Sequence, residues 1–228
     1  MKTENSILMK QARESLVGKW GLAIGTMFVY SLIVFAVQSI PKAGPVLGLL
    51  IGGPMVLGLV IFSLSLSRNQ NPKFEQIFEG FKRFGTALGT QLLVTLYTLL
   101  WTLLLIIPGI IAALSYSMTF YIMADNNSVG IRESIRMSKK MMMGYKWKLF
   151  CLGLRFIGWV LLCILTLGIG FLWLIPYMQI STAKFYDDIT SKYFDYRKAT
   201  AILKKLIRGR DILEIVTGTG NLAIESIV

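Results

Sequence analysis

Residues 100–127, LWTLLLIIPGIIAALSYSMTFYIMADNN, decide how this chain is folded. They continue a stretch without a single charge, Phe84–Ala124, 41 residues long. As one straight helix it would extend about 62 Å at 1.5 Å per residue, roughly twice the hydrocarbon thickness of a bilayer. It therefore has to turn back. Pro108 has no amide donor and disfavours helix at the residue before it, while Gly109 tolerates the angles of a tight reversal. A hairpin with its tip at Pro108-Gly109 is expected.

Three further uncharged stretches lie outside it: Trp20–Pro41 with 22 residues, Ala43–Ser67 with 25 and Phe156–Ala183 with 28. About 20 apolar residues span a bilayer, so the first two are single spans joined around Lys42. The last could be one tilted span or two short ones turning at Gly168-Ile169-Gly170. Charge arbitrates. With six crossings, the segments on one side hold 4, 4, 6 and 8 of the 24 Lys and Arg, the other side holds Lys42, and Arg155 lies inside the membrane. A single pass in either long stretch would export a basic cluster, against the positive-inside tendency. The expected fold is all-α: a polytopic membrane protein with six transmembrane helices as three hairpins and both termini cytoplasmic. Residues 1–190 would form the membrane domain and 191–228 a cytoplasmic tail. Phe171–Ala183 is short for a span, and it must extend past Lys184, with that ammonium snorkelling.

Composition agrees with this placement. The chain is 54% hydrophobic and 16% charged, with a net charge of +12. That excess suits nucleic acid or an anionic bilayer face, and the hydrophobic content selects the bilayer. Histidine is absent, which removes the commonest proton shuttle and metal ligand. Cys151 and Cys163 are separated by about 18 Å on one helix, too far for a disulfide. No secretory signal peptide is expected, because the first apolar span is not followed by a soluble domain.

Each hairpin is led by an amphipathic segment. In NPKFEQIFEGFKRF (71–84), Asn71 is a candidate cap and Pro72 suits a first turn. Phe74, Ile77, Phe78, Phe81 and Phe84 share one face, as in a helix lying in the membrane plane. RESLVGKW (13–20) and RESIRMSKKMMMGYKWKLF (132–150) share an Arg-Glu-Ser start and a Lys-Trp near the span. This is either a weak threefold repeat or the ordinary composition of an inner-facing juncture. Gly44, Gly48 and Gly52, Gly21 with Gly25, and Gly85 with Gly89 have the spacing that lets helices approach in lipid, within the monomer or in a homo-oligomer. Pro54 is expected to kink the second span.

No catalytic, cofactor-binding or metal-ligating residue emerges, and no carboxylate lies within a span, which counts against an acid-driven coupled transporter. Arg155 is the sharpest polar residue inside the membrane. It could contact a lipid phosphate or line a cavity, or snorkel to the inner headgroups. Lys139, Lys140, Lys146 and Lys148, with Trp147 among them, fit an anionic phospholipid surface better than nucleic acid. The end of the chain, DILEIVTGTGNLAIESIV (211–228), looks like the glycine-rich loop of S-adenosylmethionine-dependent methyltransferases, but only eight residues follow Gly220, so a partly ordered tail or a boundary artefact is expected there rather than a cofactor site.

Five segments in order carry a family resemblance: PGIIAALSYSMTFYIMADN (108–126), ESIRMSKKMMMGYKWKLF (133–150), FIGWVLL (156–162), GIGFLWLIPY (168–177) and AKFYDDI (183–189). They resemble the bacterial integral-membrane proteins catalogued as domain of unknown function 975, a family similar to the membrane domains of some glycerophosphodiester phosphodiesterases. The resemblance covers roughly Ser6 to Ile189. It implies a multi-pass protein of the bacterial plasma membrane and supplies no catalytic residue. The expected function is non-enzymatic: organising or sensing inner-leaflet lipid, in envelope stress or resistance to membrane-active agents. The alternative is a carrier or channel for an apolar or lipidic solute, moving along a groove near Pro54, Pro108 and Arg155. An enzyme would need a cofactor site in the tail.

Overall fold

The computed structural model describes residues 3–217 and divides the chain into two units, Met1–Ile189 and Thr190–Val228. Among the described residues there are only helices: α1 Asn5–Leu16, α2 Trp20–Gln38, α3 Gly44–Ser67, a 3-10 helix Phe74–Arg83, α4 Phe84–Leu104, α5 Ile106–Tyr116, α6 Thr119–Asp125, α7 Ile131–Met141, α8 Lys146–Leu165 and α9 Phe171–Thr217. The tail's glycine-rich loop and the residues after it lie outside the described residues.

The uncharged stretches fold back on themselves, as contacts across each pair show. In the second pair, a Cβ on Gly109 would come within 2.3 Å of Thr102 Oγ1. The rings of Tyr97 and Tyr116 lie 6.0 Å apart, and Thr90 meets the sulfur of Met123 at 3.2 Å. One partner's number rises as the other's falls, which is the signature of antiparallel helices. In the third pair, Gly170 abuts Cys163, Phe156 meets Tyr177 edge-on at 5.4 Å, and Lys148 lies over the ring of Phe185. In the first, Gly44 packs on the Gln38 carbonyl, and Ala23 and Met27 share a cluster with Leu59.

The turns correct one sequence expectation. The second reversal is at Leu105, the extended residue (φ −163°, ψ 145°) between α4 and α5, and Pro108 sits in the first turn of α5. That is where proline costs least, since amides of a first turn lack an intrahelical partner anyway. Gly109 is required for another reason: its missing side chain lets α5 close on Thr102. In the third pair the turn falls between Leu165 and Phe171, with Gly168 at φ +88° as its flexible residue. Lys42, at φ +65°, serves the first.

Five helices are long and apolar enough to cross a membrane: Trp20–Gln38, Gly44–Ser67, Phe74–Leu104, Ile106–Asp125 and Lys146–Leu165, the third and fourth each joining two adjacent elements. These five fit a membrane protein. The apolar start of α9, Phe171–Ala183, runs straight into Lys184, Asp187 and Asp188, and α9 is not one of the five. Leu103 through Ile107, Leu165 and Leu167 are exposed at the hairpin turns. Such a surface in water would drive aggregation, whereas in hydrocarbon it is solvated.

Packing concentrates at the other end of the hairpins, around the second half of α3. Phe62 and Leu66 are fully buried with Ala12, Leu16, Ile77 and Ile180 around them. The segment 74–83 departs from the expected surface α-helix. It is a ten-residue 3-10 helix, long for its type, that begins after Asn71 at φ +51° and is started by Gln76, whose Oε1 accepts the Lys73 amide. Two glycines explain its position. A Cβ on Gly58 would lie 1.8 Å from the Ile77 carbonyl oxygen, and one on Gly80 would lie 1.9 Å from that of Pro54. Backbone therefore lies on backbone, and the apolar face is divided: Ile77 is buried against α3, while Phe78, Phe81 and Phe84 stay exposed. Pro54 lies inside α3 without ending it. The evenly spaced glycines contribute less, since Gly21, Gly25, Gly52 and Gly85 have open space where a Cβ would be.

Candidate functional site

Three arrangements in the first unit hold the polar chemistry. The first is a knot of ion pairs at the packed end. Arg68, just past α3, places Nη1 2.6 Å from Asp125 Oδ1 and Nη2 2.7 Å from Asp187 Oδ1. Burial works against its charge, but its hydrogen bonds to both carboxylates outweigh that and push the Arg68 pKa above its usual value, so it stays charged. Tyr186 donates to Asp125 and Ser67 donates to Asp187. Beside them Lys148 Nζ lies 2.7 Å from Asp188 Oδ2, with side chains only 10% and 11% exposed. Thr3 donates to the other Asp188 oxygen, and Lys184 donates to the carbonyl of Ser67. Arg83 donates to the carbonyl of Met123, in the last turn of α6, and to that of Val129, in the loop that follows. Asp125, Asp187 and Asp188 thus each have a cationic partner. The knot ties α3, α6, α8 and α9 together and is a structural device.

The second arrangement is a basic belt at the junction of α7 and α8. Lys139 and Lys140 close α7 and are exposed, Gly144 turns the chain at φ +79°, and Lys146 opens α8. Trp147 is 72% exposed, its ring stacked on Phe150 at 5.3 Å. Among the described residues no carboxylate pairs with Lys139, Lys140 or Lys146, whereas Arg136 pairs with Glu133. Lys148, expected in this group, belongs to the knot instead. Arg155 is exposed on α8, about 12 Å beyond Trp147 along the helix axis. The same design recurs before α2, where Gly18 at φ +75° precedes Lys19-Trp20.

The third is an apolar cavity of about 420 Å³ bounded by α1, α2, α8 and α9. Arg13, Trp20 and Tyr177 line it together with Trp159, Cys163 and Trp173. A separate polar cavity of about 510 Å³ holds Glu14, Lys184, Asp187 and Asp188. Neither of these two cavities is lined by Pro54, Pro108 or Arg155. Cys151 and Cys163 are both free thiols on α8.

Sequence reasoning missed Arg68, Asp125, Asp187 and Asp188 as a unit. Their signal was present in the motifs ADN and AKFYDDI, whose acids stand just outside apolar stretches. Arg13 and Trp159 carried no signal, because nothing local says that α1 reaches the third hairpin.

The family described as protein of unknown function (DUF975) matches this chain over residues 1–109 and 102–193. No curated protein and no solved structure matches it.

Proposed function

The chain belongs to the DUF975 family of proteins of unknown function, and from that membership we propose a non-enzymatic, six-span protein of the bacterial plasma membrane that holds and senses anionic phospholipid of the inner leaflet. Both termini then lie on the cytoplasmic side, with α9 supplying the sixth crossing. The observation that carries this reading is the belt: among the described residues Lys139, Lys140 and Lys146 have no carboxylate partner, and they flank an indole that stands in the surroundings. Cations near an anionic leaflet gain roughly 1 kcal/mol each, and tryptophan favours the headgroup level. A role in envelope stress follows if lipid composition changes what the belt binds.

The test is to change Lys139, Lys140 and Lys146 together to Gln and measure phosphatidylglycerol retained per protein after purification in mild detergent. A fall of about threefold or more is expected, since three favourable contacts are removed. Unchanged retention would count against the reading. A carrier for a lipidic solute is the second reading, favoured by the open apolar cavity, and it requires flux in proteoliposomes.

A further inference from the structure

We propose that the cavity between α2, α8 and α9 is a slot for one anionic phospholipid, with Arg13 binding its phosphate and the apolar walls taking its acyl chain. The volume, about 420 Å³, lies within the roughly 300–1,000 Å³ of sites that enclose small ligands. The slot has direction. Thr166 and Gly170, at the turn of the third hairpin, line it, and so do Arg13 and Trp20, at the start of the first. Tyr177, seven residues past Gly170 along α9, lines it too, about 10 Å from the turn.

Charge complementarity identifies the occupant. Arg13 is exposed and, among the described residues, has no hydrogen-bond acceptor or carboxylate paired with it. No Asp or Glu lines the slot, and the adjacent Glu14 turns into the polar cavity with Lys184. An apolar channel with one uncompensated guanidinium at its end fits an amphiphile with an anionic head, and arginine's planar fork suits a phosphate in particular. Three of the five tryptophans, Trp20, Trp159 and Trp173, stand around it. Indole rings offer an acyl chain broad apolar contact.

The inference deepens the proposed function and rests on it only in setting these helices in a bilayer. Its test uses the full chain with Trp101 and Trp147 changed to Phe, so that the remaining indoles all line the slot. The protein is placed in phosphatidylcholine vesicles containing a few per cent of bromine-labelled phosphatidylglycerol or bromine-labelled phosphatidylcholine, and fluorescence quenching is recorded. The phosphatidylglycerol probe is expected to reach half-quenching at roughly one-fifth the mole fraction needed by the other, the effect of one basic residue at an anionic headgroup. Arg13→Gln should erase that preference, Arg13→Lys should keep most of it, and Arg155→Gln should leave it intact. Among the described residues Arg13 makes no hydrogen bond or ion pair, so unchanged thermal unfolding of Arg13→Gln is the expected sign that the fold is retained. Equal quenching by both probes, or a preference that survives Arg13→Gln, overturns the proposal. So does quenching that varies with protein density rather than lipid, which would assign the slot to a second copy of the chain. Changing Lys139, Lys140 and Lys146 to Gln should lower total retained lipid while slot quenching persists, so failure of the belt and failure of the slot are separately visible.

Discussion

Replacing Gly58 by Ala should loosen the molecule far more than one methyl group suggests. The added Cβ would lie 1.8 Å from the Ile77 carbonyl oxygen, and 3.0 Å is the closest approach such atoms show, so α3 and the 3-10 helix must part by about the 1.2 Å difference. No side chain can rotate away, because the obstacle is backbone. Overpacking of this kind costs about 1–3 kcal/mol. Parting the two elements also loosens Ile77, now fully buried, whose contacts are worth a further 1–2 kcal/mol or so. A total of about 3 kcal/mol corresponds to a lowering of the unfolding midpoint by roughly 6–12 °C for a chain of this size. The assay is thermal unfolding of the purified protein in detergent, followed by helical circular dichroism, beside Gly52→Ala as reference. Gly52 lies in the same helix with open space where its Cβ would be, so alanine there should be neutral or stabilise by up to about 1 kcal/mol through helix propensity. If both variants melt together with the parent, the backbone contact between α3 and residues 74–83 is not what places that segment.

The other predictions concern the knot and the break between α5 and α6. Lys148→Gln takes the cation from Asp188 at 11% exposure and should destabilise by about 3 kcal/mol, with Lys148→Gln/Asp188→Asn recovering part of the loss; a double-mutant cycle without coupling would contradict the pair. Arg68→Lys should behave nearly as badly as Arg68→Ala in thermal unfolding, because an ammonium cannot span Asp125 and Asp187 as the guanidinium fork does; full rescue by lysine would exclude the fork. Ser138→Ala removes the hydroxyl that donates to the Ser115 carbonyl at 2.8 Å and should cost about 1 kcal/mol, readable as a lower midpoint; a midpoint equal to the parent's would mean that the carbonyl does not need this donor.

The breaks in the two long uncharged stretches were legible in the sequence: Phe84–Ala124 is too long for one crossing, and Gly168-Ile169-Gly170 falls where the other stretch is interrupted. The position of the second turn was not, since Pro108 is tolerated in a first helical turn and marks only a neighbourhood of the break at Leu105. The 3-10 geometry of Phe74–Arg83 was hidden for a different reason. Its apolar spacing looks α-helical, and what overrides it is the pair Gly58 and Gly80, glycines without the regular spacing usually taken as a packing signal. Similarly, Lys148 reads like its neighbours Lys139, Lys140 and Lys146, and only the fold shows that Asp188 binds it. Pairings between helices distant in sequence, such as Arg68 with Asp187 or Arg13 with the slot of the third hairpin, have no local signature at all.

Everything proposed about lipid depends on the basic segments gathering under one leaflet, and cysteine accessibility in intact cells tests that most directly. On a background with Cys151 and Cys163 changed to Ser, single substitutions Lys42→Cys, Asn127→Cys and Leu167→Cys are treated with a membrane-impermeant maleimide. Labelling at 42 and 167, with position 127 protected until the cells are opened, is the expected pattern. Labelling at position 127 in sealed cells would place Arg132 to Lys148 outside and contradict the account.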